Sequence, residues 1–185
     1  LIFSIYFPMR AADCLMYAVR RAYHLPRPKN QALYTVKVLL YTVFLLVTIA
    51  LTLALATVGR AALQFLSRFF VLPEAFIDLW SDLRFLILGG VMFAAVGLLY
   101  AAAQDSRQPA RSIVPGTLAA LLAWMLVSAG FSFYVENFAN YSVIYGALGT
   151  IIVLMMWLNL TAVVLIMGAE VNGALLAMRG EKKRR

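Results

Sequence analysis

The sequence predicts an all-α protein: a polytopic transmembrane helical bundle with amphipathic interfacial helices, forming a single membrane domain over residues 1–185. Three observations carry that expectation. The chain is 64% hydrophobic and 13% charged, against roughly 45–50% apolar and about 25% charged in soluble domains. Its mean hydropathy is +0.87, more apolar surface than a chain of this length could hide in its own interior. Charge also vanishes over four long stretches, Val38–Gly59, Phe85–Gln104, Ser112–Val135 and Asn137–Ala169. A helix needs about 20 apolar residues to cross roughly 30 Å of hydrocarbon. The runs are continuous rather than alternating, so they predict helices and not the strands of a barrel.

The elements follow in order. Residues 1–7, "LIFSIYF", are too short to cross and carry neither a basic n-region nor a small-residue cleavage site, so they do not form a signal peptide. They are expected to be the tail of a span whose beginning is absent, with Pro8 breaking or bending the chain. Over 9–24, Met9, Ala12, Leu15, Met16, Val19 and Tyr23 recur at helical spacing. Arg10, Asp13, Tyr17, Arg20, Arg21 and His24 take the opposite face. That is an amphipathic helix along the inner membrane surface or projecting from the preceding span. The prolines of "PRPKN" end it. Transmembrane helices are then expected at 36–59, 85–104, 112–135 and 146–178, with external segments at 60–84 and 136–145. In the first external segment Glu74, Asp78 and Asp82 form a stripe expected to face water. In the second, "NFANYSVIY" is polar and aromatic, as suits an interfacial loop.

Orientation follows from the cations. Thirteen Lys and Arg residues fall on one side of the alternation and three (Arg60, Arg68, Arg84) on the other. The positive-inside rule makes the rich side cytoplasmic, including the C-terminus. The net charge of +8 therefore needs no nucleic acid. Basic residues beside spans set topology and attract anionic headgroups, so membrane lipids are the expected partners, at Arg20, Arg21 and Arg111. Whether a homo-oligomer forms stays open.

One cysteine, Cys14, and one histidine, His24, leave no internal disulfide framework. They make a structural zinc site, with its four ligands, implausible. No metal or other cofactor is expected. Packing marks lie inside the spans as small-residue stripes, Gly90, Ala94, Gly97 and Ala101 in the second, Gly116, Ala119, Ala120 and Ala123 in the third. Small residues let helix backbones approach closely in lipid.

The polar residues of the last span are the candidates for function. Asn159 lies at hydrocarbon depth and Glu170 about a turn beyond, at headgroup depth, if the span leaves the outer interface near Gly146. Eleven residues turn a helix by about 1100°, so the two share a face within roughly 20°. Such a face points to protein or a wet cavity. Glu170 is expected to meet a basic or hydroxyl partner, with Arg111 and Arg20 the leading candidates.

Pro115-Gly116 opens one span, and Phe131 and Tyr134 end it. Asn137, Tyr141, Tyr145 and Gly146 mark the following loop, then Trp157-Leu158, Gly168-Ala169-Glu170 and Asn172 the last helix. In this order and spacing, over about sixty residues, the chain resembles the YihY/BrkB family of bacterial inner-membrane proteins. The resemblance implies a bundle of about six helices with both termini cytoplasmic, so that this chain lacks the first helix and most of the second. It singles out Glu170, Asn172, Tyr145 and Tyr141, with Asn137. Asn159 departs from the tyrosine common in such proteins, and Ala174 from the acid that often follows.

The family carries older labels of virulence factor and tRNA-processing ribonuclease. The residues argue against an enzyme of that kind. Phosphodiester cleavage uses clustered carboxylates with metal ions, or histidines, and here the acids fall on opposite sides of the membrane. Two readings remain. One is a transporter or flippase-like protein for a lipid or other amphiphile. The other is a non-transporting membrane scaffold or envelope assembly factor, in which the same polar residues lock helices together.

Overall fold

A computed structural model describes residues 2–28, 30–66, 74–104, 112–137 and 147–182. Five helices account for nearly all of them: α1 (Ile2–Ala22), α2 (Gln31–Leu66), α3 (Glu74–Ala103), α4 (Val114–Asn137) and α5 (Ala147–Lys182). There is no strand among the described residues. Four segments are long and apolar enough to span a membrane: Gln31–Leu55, Leu86–Ala103, Val114–Asn137 and Leu148–Met178. The protein is an all-α polytopic bundle.

Helices and spans do not end together. α2 starts five residues before the expected span and runs on to Leu66, and α3 starts at Glu74 rather than Phe85. Hydropathy reports where a helix could meet lipid, whereas the helix itself continues as long as its backbone can keep bonding to itself. For the same reason α1 runs through Pro8 without a break. A proline forfeits one backbone donor and crowds the preceding turn, but the residues that follow, Met9, Arg10, Ala11 and Ala12, are good helix formers. The expected amphipathic helix and the short apolar tail are thus one element.

α1 ends in a motif that sets up everything near it. His24 has φ 53°, the left-handed conformation usually taken by glycine. The Leu25 N–H bonds to the Arg20 carbonyl (3.1 Å) and the His24 N–H to the Arg21 carbonyl (2.9 Å). These paired bonds close the helix and reverse the chain toward α2. Asn30 then caps α2 by accepting from the Leu33 N–H (3.4 Å).

The core gathers at one end. It joins Ala12, Met16 and Val19 of α1 to Val38 and Tyr41 of α2, Leu99 and Tyr100 of α3, Ala120 of α4 and Ala169 of α5. α2 pairs with α3 and α4 with α5, while α1 touches α2, α3 and α5. The apolar residues of α1 expected on one face do lie together, but they meet neighbouring helices. Among the described residues none is buried in α4 beyond Ala120 or in α5 before Val164. The helices are therefore tied together at the end carrying Arg20, Lys37 and the start of α4, here called the basic end. Farther along α4 the described apolar side chains are open, as at Leu126 and Phe133, 75% and 70% exposed.

The small-residue stripes divide. In α4, Gly116 and Ala120 face α5, where a side chain on Gly116 would run into the Gly168 carbonyl and Asn172. In α3 the stripe is not the packing face. Gly90 has open space beside it, Ala94 and Ala101 are exposed, and Gly97 alone approaches Thr117. The buried face of α3 is Ala95, Val96, Leu99, Tyr100 and Ala103.

Candidate functional site

The first turn of a helix leaves backbone N–H groups without intrahelical partners, and α4 begins inside the bundle. Gly116 stands in that turn. Its N–H donates to Asn172 Oδ1 of α5 at 2.6 Å, so the cap comes from another helix. The same Asn172 donates from Nδ2 to the Ile113 carbonyl (2.9 Å) and to the Tyr23 hydroxyl (3.0 Å). Both amide hydrogens and the carbonyl oxygen are thus engaged. Asn172 is fully buried, and one side chain joins α1, the α4 entry and α5.

Glycines make this approach feasible. Gly168, one turn before Asn172, packs against the Gly116 carbonyl, Ala120 and the Tyr100 hydroxyl, leaving no room for a Cβ. Tyr100 crosses over it to donate to the Leu165 carbonyl at 2.6 Å, and its ring meets Tyr23 edge-on at 6.4 Å. Burial pushes the Tyr23 phenol above its ordinary pKa, with Asn172 and then Gln104 drawing it back.

The end of α3 presents the opposite need, carbonyls without donors. Arg20 Nη1 donates to the Ala103 carbonyl (3.0 Å) and Nη2 to the Pro26 carbonyl (2.6 Å). Lys37 Nζ donates to the Gln104 carbonyl at 3.0 Å. Two cations therefore cap the negative end of the helix dipole. The Gln104 side chain is buried beside the Tyr23 phenol, near enough to act on its pKa but without closing a hydrogen bond of good geometry.

The residues expected from sequence separate. Asn172 is the buried hub. Glu170 and Asn159 are exposed on α5. Arg20 does not meet Glu170, and it is no headgroup contact either: it is 2% exposed, drawn inside by carbonyls that need donors. Among the described residues Glu170 has no ionic or hydrogen-bonding partner. Arg21 is exposed. Asn137 closes α4, its Nδ2 donating to the Phe133 carbonyl at 2.7 Å. Tyr141, Tyr145 and Arg111 lie outside the described residues. Sequence reasoning missed Tyr100, Gly168, Lys37 and Gln104. Gly168 had a signal, since it opens the Gly168-Ala169-Glu170 motif and small residues let membrane helices approach closely.

Such a bundle, with membrane-length apolar helices held by a buried polar hub, defines a multi-pass integral membrane protein. The chain belongs to the family described as Virulence factor BrkB, whose model matches residues 1–185. It is 29% identical over 175 residues to the ribonuclease-like protein YfkH of Bacillus subtilis (strain 168), covering 95% of this chain and 64% of that protein. It is 33% identical over 86 residues to a UPF0761 membrane protein of Pseudoalteromonas translucida, covering 46% of this chain and 29% of that protein. A UPF0761 membrane protein of Alkalilimnicola ehrlichii is 37% identical over 103 residues, covering 54% and 23%. The chain thus spans less than two thirds of the length of these relatives. No solved structure matches it.

Proposed function

We propose that this protein is a transporter or flippase-like carrier for a lipid or another amphiphile, in the bacterial inner membrane with its C-terminus cytoplasmic. One observation carries the reading. Asn159 and Glu170 share the exposed side of a membrane-length helix, in a bundle whose described buried residues gather toward its basic end. Polar groups at such depth are costly against lipid tails. A headgroup moving along that side would meet an amide and then a carboxylate while its acyl chains stayed in hydrocarbon. A nuclease reading has less support, since no group of three or more His, Cys, Asp or Glu among the described residues could hold a metal ion.

The second reading is a scaffold or assembly factor, favoured by Asn172, whose hydrogen bonds are all spent on helix contacts. The test is translocation of headgroup-labelled lipid in vesicles carrying wild type, Glu170→Gln or Asn159→Leu. A carrier loses transport in these variants while its melting temperature holds. If wild-type vesicles flip no more lipid than empty ones, the carrier reading fails and the scaffold stands.

A further inference from the structure

Between α1 and the first two turns of α2 lie two adjoining cavities of ≈ 310 and ≈ 360 Å³, sharing Asp13, Gln31 and Tyr34 as common walls. Neither belongs to the Asn172 hub or to the exposed side of α5. Their chemistry is mixed. Arg10 borders the first and Arg27 the second, with the Asp13 carboxylate between them. Asp13 lies 3.8 Å from Arg10 and faces the Tyr34 phenol. Met9 and Val38 give the first cavity an apolar floor.

Tyr34 is the telling residue. It is 8% exposed, it lines both cavities, and its hydroxyl is buried beside the Asp13 carboxylate without closing a hydrogen bond of good geometry. Buried hydroxyls in native proteins nearly always have one. A ligand that donates there would satisfy Tyr34 and neutralise Asp13 together. A primary ammonium does both, having three donors to share between the carboxylate, the phenol oxygen and the Gln31 carbonyl. The guanidinium of Arg27, a short step away, suits a phosphate. Since α2 begins its apolar span at Gln31, the cleft lies where headgroups lie.

We propose that the α1–α2 cleft binds a phosphate-linked primary amine, the headgroup chemistry of phosphatidylethanolamine. The site does not depend on transport: a scaffold could hold such a lipid as firmly as a carrier. Soluble O-phosphoethanolamine has the same chemistry without the acyl chains, and the apolar floor favours the lipid over it.

The experiment is a direct binding measurement on the full purified chain in detergent. The probes are dioctanoyl phosphatidylethanolamine, the matching phosphatidylcholine and phosphatidylglycerol, and O-phosphoethanolamine. The ethanolamine lipid should bind most tightly. Asp13→Asn should weaken it about tenfold, the size of one charge-assisted hydrogen bond, and leave the glycerol lipid unchanged. Arg27→Gln should weaken all three lipids. Tyr34→Phe should lower affinity for the ethanolamine lipid without lowering the melting temperature, which separates binding from folding. Equal affinity for the three lipids, or an Asp13→Asn protein that binds like wild type, overturns the site. Binding of O-phosphoethanolamine as tight as the lipid overturns the lipid as its ligand.

Discussion

Replacing Asn172 by alanine tests what holds the basic end together. The side chain makes three hydrogen bonds, to Gly116, Ile113 and Tyr23. Interhelical bonds of this kind contribute about 0.6 kcal/mol on average and at most about 1.7, so the three together contribute roughly 2 kcal/mol. The vacated volume adds on the order of 1 kcal/mol, since Gly116 and Gly168 already touch and leave little freedom to collapse. A total near 3 kcal/mol should lower the melting temperature by roughly 6–12 °C, read by intrinsic fluorescence in detergent. Tyr23→Phe removes only the acceptor of one bond. Its effect should therefore be small alone and smaller still in the Asn172→Ala background, a coupling of about 0.5 kcal/mol or more. An Asn172→Ala protein melting within about 2 °C of wild type would refute the hub.

Three further outcomes follow from the same geometry. Gly168→Ala places a methyl against the Tyr100 hydroxyl and the Gly116 carbonyl, and backbone cannot swing aside, so melting should fall by an amount matching about 1–3 kcal/mol of overpacking; an unchanged melting temperature would mean the α4–α5 crossing is looser than described. His24→Gly relieves a left-handed backbone at φ 53° and should raise stability by up to about 1 kcal/mol; a loss would show that the imidazole itself holds something. For orientation, cysteine at Ser142 should label from outside and cysteine at Ser106 from the cytoplasm only, because basic residues crowd the second side; labelling of both from one side would reverse or break the topology.

Much of the architecture was legible because bilayer thickness imposes a length on apolar runs. The four spans follow from the length of their charge-free apolar runs, and the buried face of α1, from Met9 to Tyr23, from helical spacing. What could not be read is where helix ends need partners. Arg20 reads as a surface cation by its charge, although a wheel of α1 sets it only about 40° from Met16. It is buried because the last carbonyls of α3 come to rest beside it, a neighbour 83 residues away that no local pattern contains. The α3 stripe of Gly90, Ala94 and Ala101 misled for the converse reason. Small residues permit close packing, but only a partner helix decides which face receives it.

The pair Glu170 and Asn172 shows how far the sequence could have been pushed. Two residues advance a helix by about 200°, so the two side chains cannot serve one cavity. One must face the bundle when the other faces away, and rotation alone leaves the choice open. The amide is the one that can be buried cheaply here, since its three hydrogen-bonding atoms match one donor and two acceptors at the α4 entry and Tyr23. A carboxylate offers only acceptors and would have met the Ile113 carbonyl with repulsion. The exposed face of α5 is thereby fixed by the chemistry of the buried one. Asn159, eleven residues from Glu170, turns outward with it, so the two share the side of α5 that the described helices leave open.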